Sequence, residues 1–132
     1  MHLVDKEKDL EKHLVRFYIE SFSIEYEFDD KEYSKFTKLN FSDIRENVSR
    51  NFPDFGLYHT LSGLHIIEKD PELRVGDAID DLVDVITDLL EIKWRYENNG
   101  KNDAFWFFKL IFFTHTQQHI IDILKFMKSK NY

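Results

Sequence analysis

Apolar and acidic residues alternate with a helical period over Val75–Asn98, in the segment VGDAIDDLVDVITDLLEIKWRYEN. At about 100° per residue, the acidic side chains collect on one narrow side, and aliphatic side chains take the remaining circumference. We call this side the acidic rail, and it consists of Asp77, Asp80, Asp81, Asp84, Asp88 and Glu91, with Arg95 at its end. A strand would mix acids and aliphatics on both faces because its period is two. The pattern therefore predicts a long helix.

The ends of this helix carry stop and start signals. Asp77 is placed to cap its first turn, and Asp80 follows three residues later, close to a capping box. The run Asn98-Asn99-Gly100 is typical of a helix C-terminus. A final helix is predicted from Ala104 to about Lys128, capped by Asn102 or Asp103. Only a few residues separate the two helices, so we expect them to pack as an antiparallel pair.

The remaining chain predicts shorter helices around this pair. The first half of the last helix, AFWFFKLIFF, is apolar nearly all round and is predicted to be the most buried element. Residues 29–41 show the least regular pattern of apolar and polar residues, and we predict a loop with a fragment of helix there. The other expected elements are a helix over 4–28, a helix over 42–50 capped by Ser42, a helix from Pro53 to Gly63 and a connector over 66–76.

Composition agrees with a helical protein. The 132 residues include thirteen Phe but only four Gly and two Pro, which indicates long regular elements with few tight turns. The length suits one hydrophobic core. We therefore predict an all-α fold: a single domain over residues 1–132, built as a helical bundle of about four to five helices, the last two long and antiparallel.

Charge and residue usage exclude several functions. A formal net charge of −7 disfavours binding to a phosphate backbone, so no nucleic-acid partner is expected. The absence of cysteine removes disulfides, thiolate metal sites and cysteine nucleophiles. The charged N-terminus does not resemble a signal peptide. The longest apolar run, Phe105–Phe113, is interrupted by Lys109 and is too short to span a membrane. We expect a cytoplasmic protein with no membrane partner.

Two histidines on the last helix could carry metal chemistry. His115 and His119 stand four residues apart, so both imidazoles project from one face about one turn apart. Acids of the neighbouring helix could complete such a site, with Asp81 and Asp84 as the candidate ligands. The alternative is structural, with both histidines hydrogen-bonded to the backbone or to aspartates across the helix pair. No cofactor beyond a possible divalent metal is indicated. His59 and His65 could contribute to this metal site only if the fold brought them close to His115 and His119.

The acidic rail has two interpretations of its own. Carboxylates four residues apart repel one another by a few tenths of a kcal/mol per pair, and solvation can absorb this cost. Alternatively, a row of fixed negative charge can dock a basic protein partner. The candidate partner-binding residues are Asp77, Asp80, Asp81, Asp84 and Asp88.

One stretch resembles a known family. The segment GDAIDDLVDVITDL, followed by Trp106 and by His115 and His119, is similar to the small helical bacterial proteins of domain of unknown function 5063. The family pattern runs roughly GDAxDDLxDI, then a Trp-bearing helix closing in HWGxH. Here Thr116-Gln117-Gln118 replaces the residues between the two histidines. The resemblance implies an all-helical fold and supplies no activity. It indicates which positions to test: Asp77, Asp80, Asp81, Asp84, His115 and His119.

No glycine-rich phosphate loop or nucleophile turn is present, so the sequence favours a non-enzymatic function. The leading hypothesis is an acidic protein-interaction module of the immunity or adaptor type with a basic partner. The alternative is a metal-binding helical protein or metal-dependent hydrolase that uses His115, His119 and the acidic rail. The protein is expected as a monomer or a homodimer, and a homodimer would use leftover aromatic residues of Phe105–Phe113 as its interface.

Overall fold

The computed structural model describes residues 3–37 and 39–131, with side chains from residue 5 onward. The chain is mostly helical and contains a small two-stranded antiparallel sheet. The elements in chain order are α1 Leu3–Ser21, α2 Phe41–Asn51, β1 Leu57–Ser62, β2 Glu72–Asp77, α3 Ala78–Asn99, α4 Lys101–Ile111, a π-helical segment Phe112–Thr116, and α5 Gln117–Lys130.

Helix α3 forms as the sequence predicts. The Asp77 side chain accepts a hydrogen bond of 2.9 Å from the Ile79 amide and caps the first turn. Gly100 ends the helix with φ of 96°, a left-handed conformation that an L side chain rarely adopts. The chain then returns along α3 through α4, the π-helical segment and α5.

Contacts between the two long helical runs confirm the antiparallel pairing. Arg95 near the end of α3 meets Asp103 at the start of α4, whereas Asp81 near the start of α3 meets His119 in α5. The core lies between these helices, α1 and α2. Its largest fully buried apolar side chains are Phe112, Ile120, Ile123, Met127 and Val85. Each such side chain contributes roughly 1.5–3 kcal/mol on burial.

The predicted helix from Pro53 to Gly63 is wrong, and the fold is therefore not purely α-helical. The segment LYHTLS of β1 pairs with ELRVGD of β2, with Leu57 opposite Asp77 and Ser62 opposite Glu72. The alternation of apolar and polar residues in β2 suits a strand, and β1 carries Tyr and Thr, which are frequent in strands. Tyr58 anchors this hairpin, because its ring packs against Phe126 at 5.9 Å between centroids.

Several helix ends differ from the predicted positions. Helix α1 ends at Ser21 instead of continuing to Phe28. The buried Ser21 hydroxyl donates to the Phe17 carbonyl at 2.6 Å, a bond that competes with the backbone ladder. Asn40, not Ser42, caps α2 by accepting from the Asp43 amide. The α4 N-cap is Gly100, which has no side chain to cap with.

The segment between α1 and α2 packs without regular structure. Its described residues, 24–37 and 39–40, contain no helix, so the predicted helix fragment is absent there. Phe36 stacks edge-on against Trp94 at 5.6 Å, and the Asn99 side chain donates to the Ser34 carbonyl at 2.9 Å. These contacts hold the segment against α3.

The apolar first half of the last helix is less buried than predicted. Phe108 and Phe112 face the core, but Trp106, Leu110 and Phe113 are 42–49% exposed. Helix α3 instead contributes the larger share of buried residues. Among the described residues, no helix combines the length and apolar character needed to cross a membrane.

Candidate metal centre

The π-helical segment brings two neighbouring side chains onto one carboxylate of α3. The Gln117 amide donates to the Phe112 carbonyl, five residues earlier, so this turn holds one more residue than an α-helical turn. His115 Nδ1 and Thr116 Oγ1 both lie 2.7 Å from Asp88 Oδ2. Short π-helical turns occur frequently at functional sites.

Each imidazole is held on its Nδ1 side by a buried aspartate. His115 Nδ1 contacts Asp88 Oδ2, and His119 Nδ1 contacts Asp81 Oδ1 at the same distance of 2.7 Å. Asp81 and Asp88 are buried, with 6% and 8% of their surfaces exposed. An ionised carboxylate only accepts hydrogen bonds, so both Nδ1 atoms carry the proton. In a neutral imidazole the Nε2 atom is then left as a lone-pair donor.

The two Nε2 atoms converge with a third acceptor. His115 Nε2 and His119 Nε2 are 3.2 Å apart, and Asp84 Oδ2 lies 3.2 Å from His119 Nε2. Within the described residues, these three side chains place their ligand atoms all within 4.8 Å of one another. Tetrahedral ligands on zinc lie about 3.3 Å apart, given a Zn–N bond of about 2.0 Å. The spacing therefore fits a bound metal ion.

Hydrogen bonding and charge around the histidines affect protonation. The hydrogen bond to Asp81 raises the pKa of His119; burial opposes this, and the nearby carboxylate of Asp84 adds to it. Burial and the hydrogen bond to Asp81 also raise the pKa of Tyr58 well above its usual range. Tyr58 therefore stays a donor and holds the second oxygen of Asp81. A proton on the histidine pair competes with a metal ion for the same lone pairs.

The candidate ligands are open to solvent on one side. The side chains of Asp84, His115 and His119 are 39%, 38% and 22% exposed, respectively. The orienting aspartates behind them are buried. An ion at this point would be reachable from solvent and would keep room for water or another ligand.

The structure divides the acidic rail into residues with different contacts. Asp77 caps α3 and pairs with Arg45 at 3.1 Å, and the exposed Asp80 pairs with the same guanidinium. Asp81 and Asp88 turn inward to the histidines, which leaves Asp84 as the ligand candidate on this helix. The rail is therefore not the continuous solvated face that one interpretation of the sequence assumed.

The structure brings together all four residues predicted to bind metal, His115, His119, Asp81 and Asp84. Asp81 contacts His119 Nδ1, however, and does not belong to the three side chains whose ligand atoms converge. The converging group of the described residues contains neither His59 nor His65. Sequence reasoning missed Tyr58 and Thr116. The mistaken helix over 53–63 concealed Tyr58, and the unforeseen π turn concealed Thr116.

No family model, curated protein or solved structure matches this chain. The resemblance to domain of unknown function 5063 rests on its motif and stays a prediction.

Proposed function

We propose that the protein binds one divalent transition-metal ion through His115 Nε2, His119 Nε2 and a carboxylate oxygen of Asp84. The observation that supports this proposal best is the convergence of both Nε2 atoms, while both Nδ1 atoms are bonded to buried carboxylates. Carboxylates behind metal-binding histidines fix the tautomer and increase the basicity of the ligand nitrogen.

A structural role and a metal site differ in what lies between the two Nε2 atoms. In either case the Nδ1 atoms are hydrogen-bonded to Asp81 and Asp88. In the neutral histidine pair, two Nε2 lone pairs 3.2 Å apart beside the Asp84 carboxylate repel one another. A proton on His119 Nε2 relieves this repulsion by a hydrogen bond to His115 Nε2 or to Asp84, whereas a metal ion would contact all three ligand atoms at once.

The donor set indicates which metals fit. Two imidazoles and one carboxylate suit zinc, iron, nickel, copper or manganese, whereas calcium and magnesium prefer oxygen ligands alone. Three protein ligands leave at least one coordination position for water, as in catalytic metal sites. A metal-dependent hydrolase is the more specific form of this proposal, since a bound divalent ion lowers the pKa of water.

Binding of a basic protein partner remains the other proposal from the sequence. The acidic surface available to such a partner is smaller in the structure than the sequence predicts, because Asp81 and Asp88 are buried and Asp77 is paired with Arg45. Asp80 and Asp84 are the members of the predicted set that keep substantial exposure.

Thermal unfolding with and without metal tests the proposal. Tag-free protein, first treated with chelator, should gain several degrees in Tm with zinc, manganese or nickel, because a ligand at about 100 times its Kd stabilises by roughly 2.7 kcal/mol. The His119→Gln variant should lose this gain, whereas the His65→Ala variant should keep it. An equal gain in all three proteins, or none in the unaltered chain, would overturn the proposal. Each variant is compared with its own metal-free Tm, so a loss of basal stability does not confuse the result.

A further inference from the structure

The hairpin formed by β1 and β2 presents its apolar side to solvent. Directly opposite residues in an antiparallel pair share a face. The outer face therefore carries Leu57 with Asp77, His59 with Val75, and Leu61 with Leu73. The other face carries Tyr58 with Gly76, Thr60 with Arg74, and Ser62 with Glu72. An antiparallel sheet with one solvated side normally shows the reverse, with apolar residues inward and polar residues outward.

Exposure values show this reversed pattern along β1, where the odd-numbered residues are exposed and the even-numbered ones are half-buried. Along β2, residues 72–75 are exposed on both faces. Leu57, Leu73 and Val75 are 71%, 64% and 65% exposed. The tip adds Leu64, Ile66 and Ile67, also exposed. Within the described part of the hairpin, Tyr58 is the residue that packs against the core.

The exposed apolar area is large for a surface with no function. Seven exposed Leu, Ile and Val residues of the hairpin, four on the outer face of the strands and three in the turn, together present on the order of 700 Å², whereas the largest apolar patch of a typical monomer is roughly 300–600 Å². An interface of standard size buries about 800 Å² on each partner. The hairpin therefore offers nearly the area that one side of a stable interface requires.

We propose that this outer face is the interface of a homodimer and packs against the same face of a second copy. The strand part of the face has almost no charge: its one acidic residue, Asp77, is already used to cap α3 and to pair with Arg45. The exposed charges of the hairpin turn, Glu68, Lys69 and Asp70, lie at its tip. A charged partner would find nothing complementary on the strands. A flat aliphatic face is complementary to itself, and two-fold symmetry places identical patches in contact. The two hairpins would then form a small sandwich with their apolar sides inside.

A two-stranded hairpin gains from such a contact. Isolated two-stranded hairpins are marginal in water and need a further layer or further strands for stability. Only the Tyr58 end of this hairpin is held by the core, so a second copy would supply the missing layer for the rest. This dimer does not depend on the proposed metal site and differs from one formed through Trp106, Leu110 and Phe113.

Sedimentation equilibrium over a range of concentrations tests the proposal. The unaltered chain should sediment with twice the monomer mass at micromolar concentration. The double variant L61K/L73E should be monomeric, and its new side chains lie opposite each other in the hairpin, so they can pair in the monomer and keep the fold. The L110E variant, which charges the exposed face of α4, should remain dimeric. Circular dichroism should show unchanged helix content in both variants.

Three results would overturn the proposal. The first is an unaltered chain that sediments with the monomer mass throughout the concentration range. The second is a dimer that L110E dissociates, which would assign the interface to α4. The third is a dimer that survives in L61K/L73E with helix content intact.

Discussion

Asp88 is a buried carboxylate that accepts hydrogen bonds from two side chains of the last helix, His115 and Thr116. We predict that Asp88→Asn weakens metal binding 10–100-fold although all three proposed ligands remain. An amide can offer N–H to Nδ1, which favours the wrong imidazole tautomer, and it removes the charge that makes Nε2 more basic. Isothermal titration with zinc measures the change.

The matched control is Asp80→Asn. It removes the same charge from the same helix, but Asp80 pairs with Arg45 at the surface and its side chain is 63% exposed. Its affinity for zinc should stay within a few-fold of the unaltered chain. Equal affinities in Asp88→Asn and Asp80→Asn would show that Asp88 does not orient a metal ligand.

Asp122 lies one turn beyond His119. Deprotonation of its carboxyl should lower the free energy of unfolding as the pH rises. Burial raises the pKa of this carboxyl, and the hydrogen bond from Gln118 only partly offsets that effect. A folded-state pKa above the unfolded value of about 3.9 favours folding at acid pH. This contribution is lost as the pH rises through the folded-state pKa.

The Asp122→Asn variant should therefore become more stable relative to the unaltered chain as the pH is raised from about 4 through that pKa. Urea unfolding at a series of pH values, in the presence of chelator, measures the difference. A stability difference between Asp122→Asn and the unaltered chain that does not change with pH would contradict the assignment.

At the residue scale, the sequence predicts part of the site. The four-residue spacing of His115 and His119 and the opposing aspartates can be read directly from the chain. The chain does not reveal which aspartate is a candidate metal ligand and which ones orient the histidines, because this depends on the rotation of α3 against the last helix. The π turn at Phe112–Thr116 changes that rotation, and no local sequence rule predicted it.

The hairpin is attached to the candidate site through Tyr58 and Gly76. A β-carbon at Gly76 would overlap the Tyr58 ring, which is held by Phe126 and by the hydrogen bond to Asp81. We predict that Gly76→Ala costs roughly 1–3 kcal/mol in the free energy of unfolding, because the ring must leave its position. Urea denaturation measures the loss.

Gly56→Ala provides the control at the other side of the same hairpin. Nothing lies within 4 Å of a β-carbon placed there. Its free energy of unfolding should change by less than about 0.5 kcal/mol. If the two variants lose the same amount, overlap with Tyr58 is not the cause.

The junction of α3 and α4 depends on a buried carboxylate. Asp103 is 4% exposed and accepts hydrogen bonds from Arg95 at 3.0 Å and from Asn99 at 2.8 Å. Asp103→Ala should cost roughly 1.5–3 kcal/mol, because the mostly buried Arg95 guanidinium loses its charged hydrogen bonds to Asp103 but keeps its ion pair with Glu91 at 2.8 Å. Asp54→Ala, an exposed position, should cost little. A loss below about 1 kcal/mol at Asp103 would show that Arg95 finds other partners.

At the element scale, helices with clear caps were predictable and the strands were not. Asp77 and Gly100 mark the limits of α3 in the sequence as in the structure. The β1 segment follows Pro53 and carries Leu57, Tyr58 and Leu61, which fit one side of a short helix as well as a strand. Strand pairing depends on the distant segment Glu72–Asp77, which local periodicity does not reveal.

Across the whole molecule, the antiparallel pairing of α3 with the last helix positions the three converging groups. Three carboxylates, those of Asp81, Asp84 and Asp88, surround the two imidazoles. A chain with a net charge of −7 adds a field that attracts cations to this point. The core that fixes this geometry was predictable as a helical core. The exposure of Trp106 and Phe113 was foreseen only in the alternative of a homodimer through Phe105–Phe113.

The most direct measurement is the amount of metal that tag-free protein retains after equilibrium dialysis against micromolar zinc, determined by elemental analysis. The account predicts one zinc ion per chain, lost in the His115→Ala and Asp84→Ala variants and retained in His59→Ala. Retention of no zinc by the unaltered chain, or equal retention by all four proteins, would contradict it.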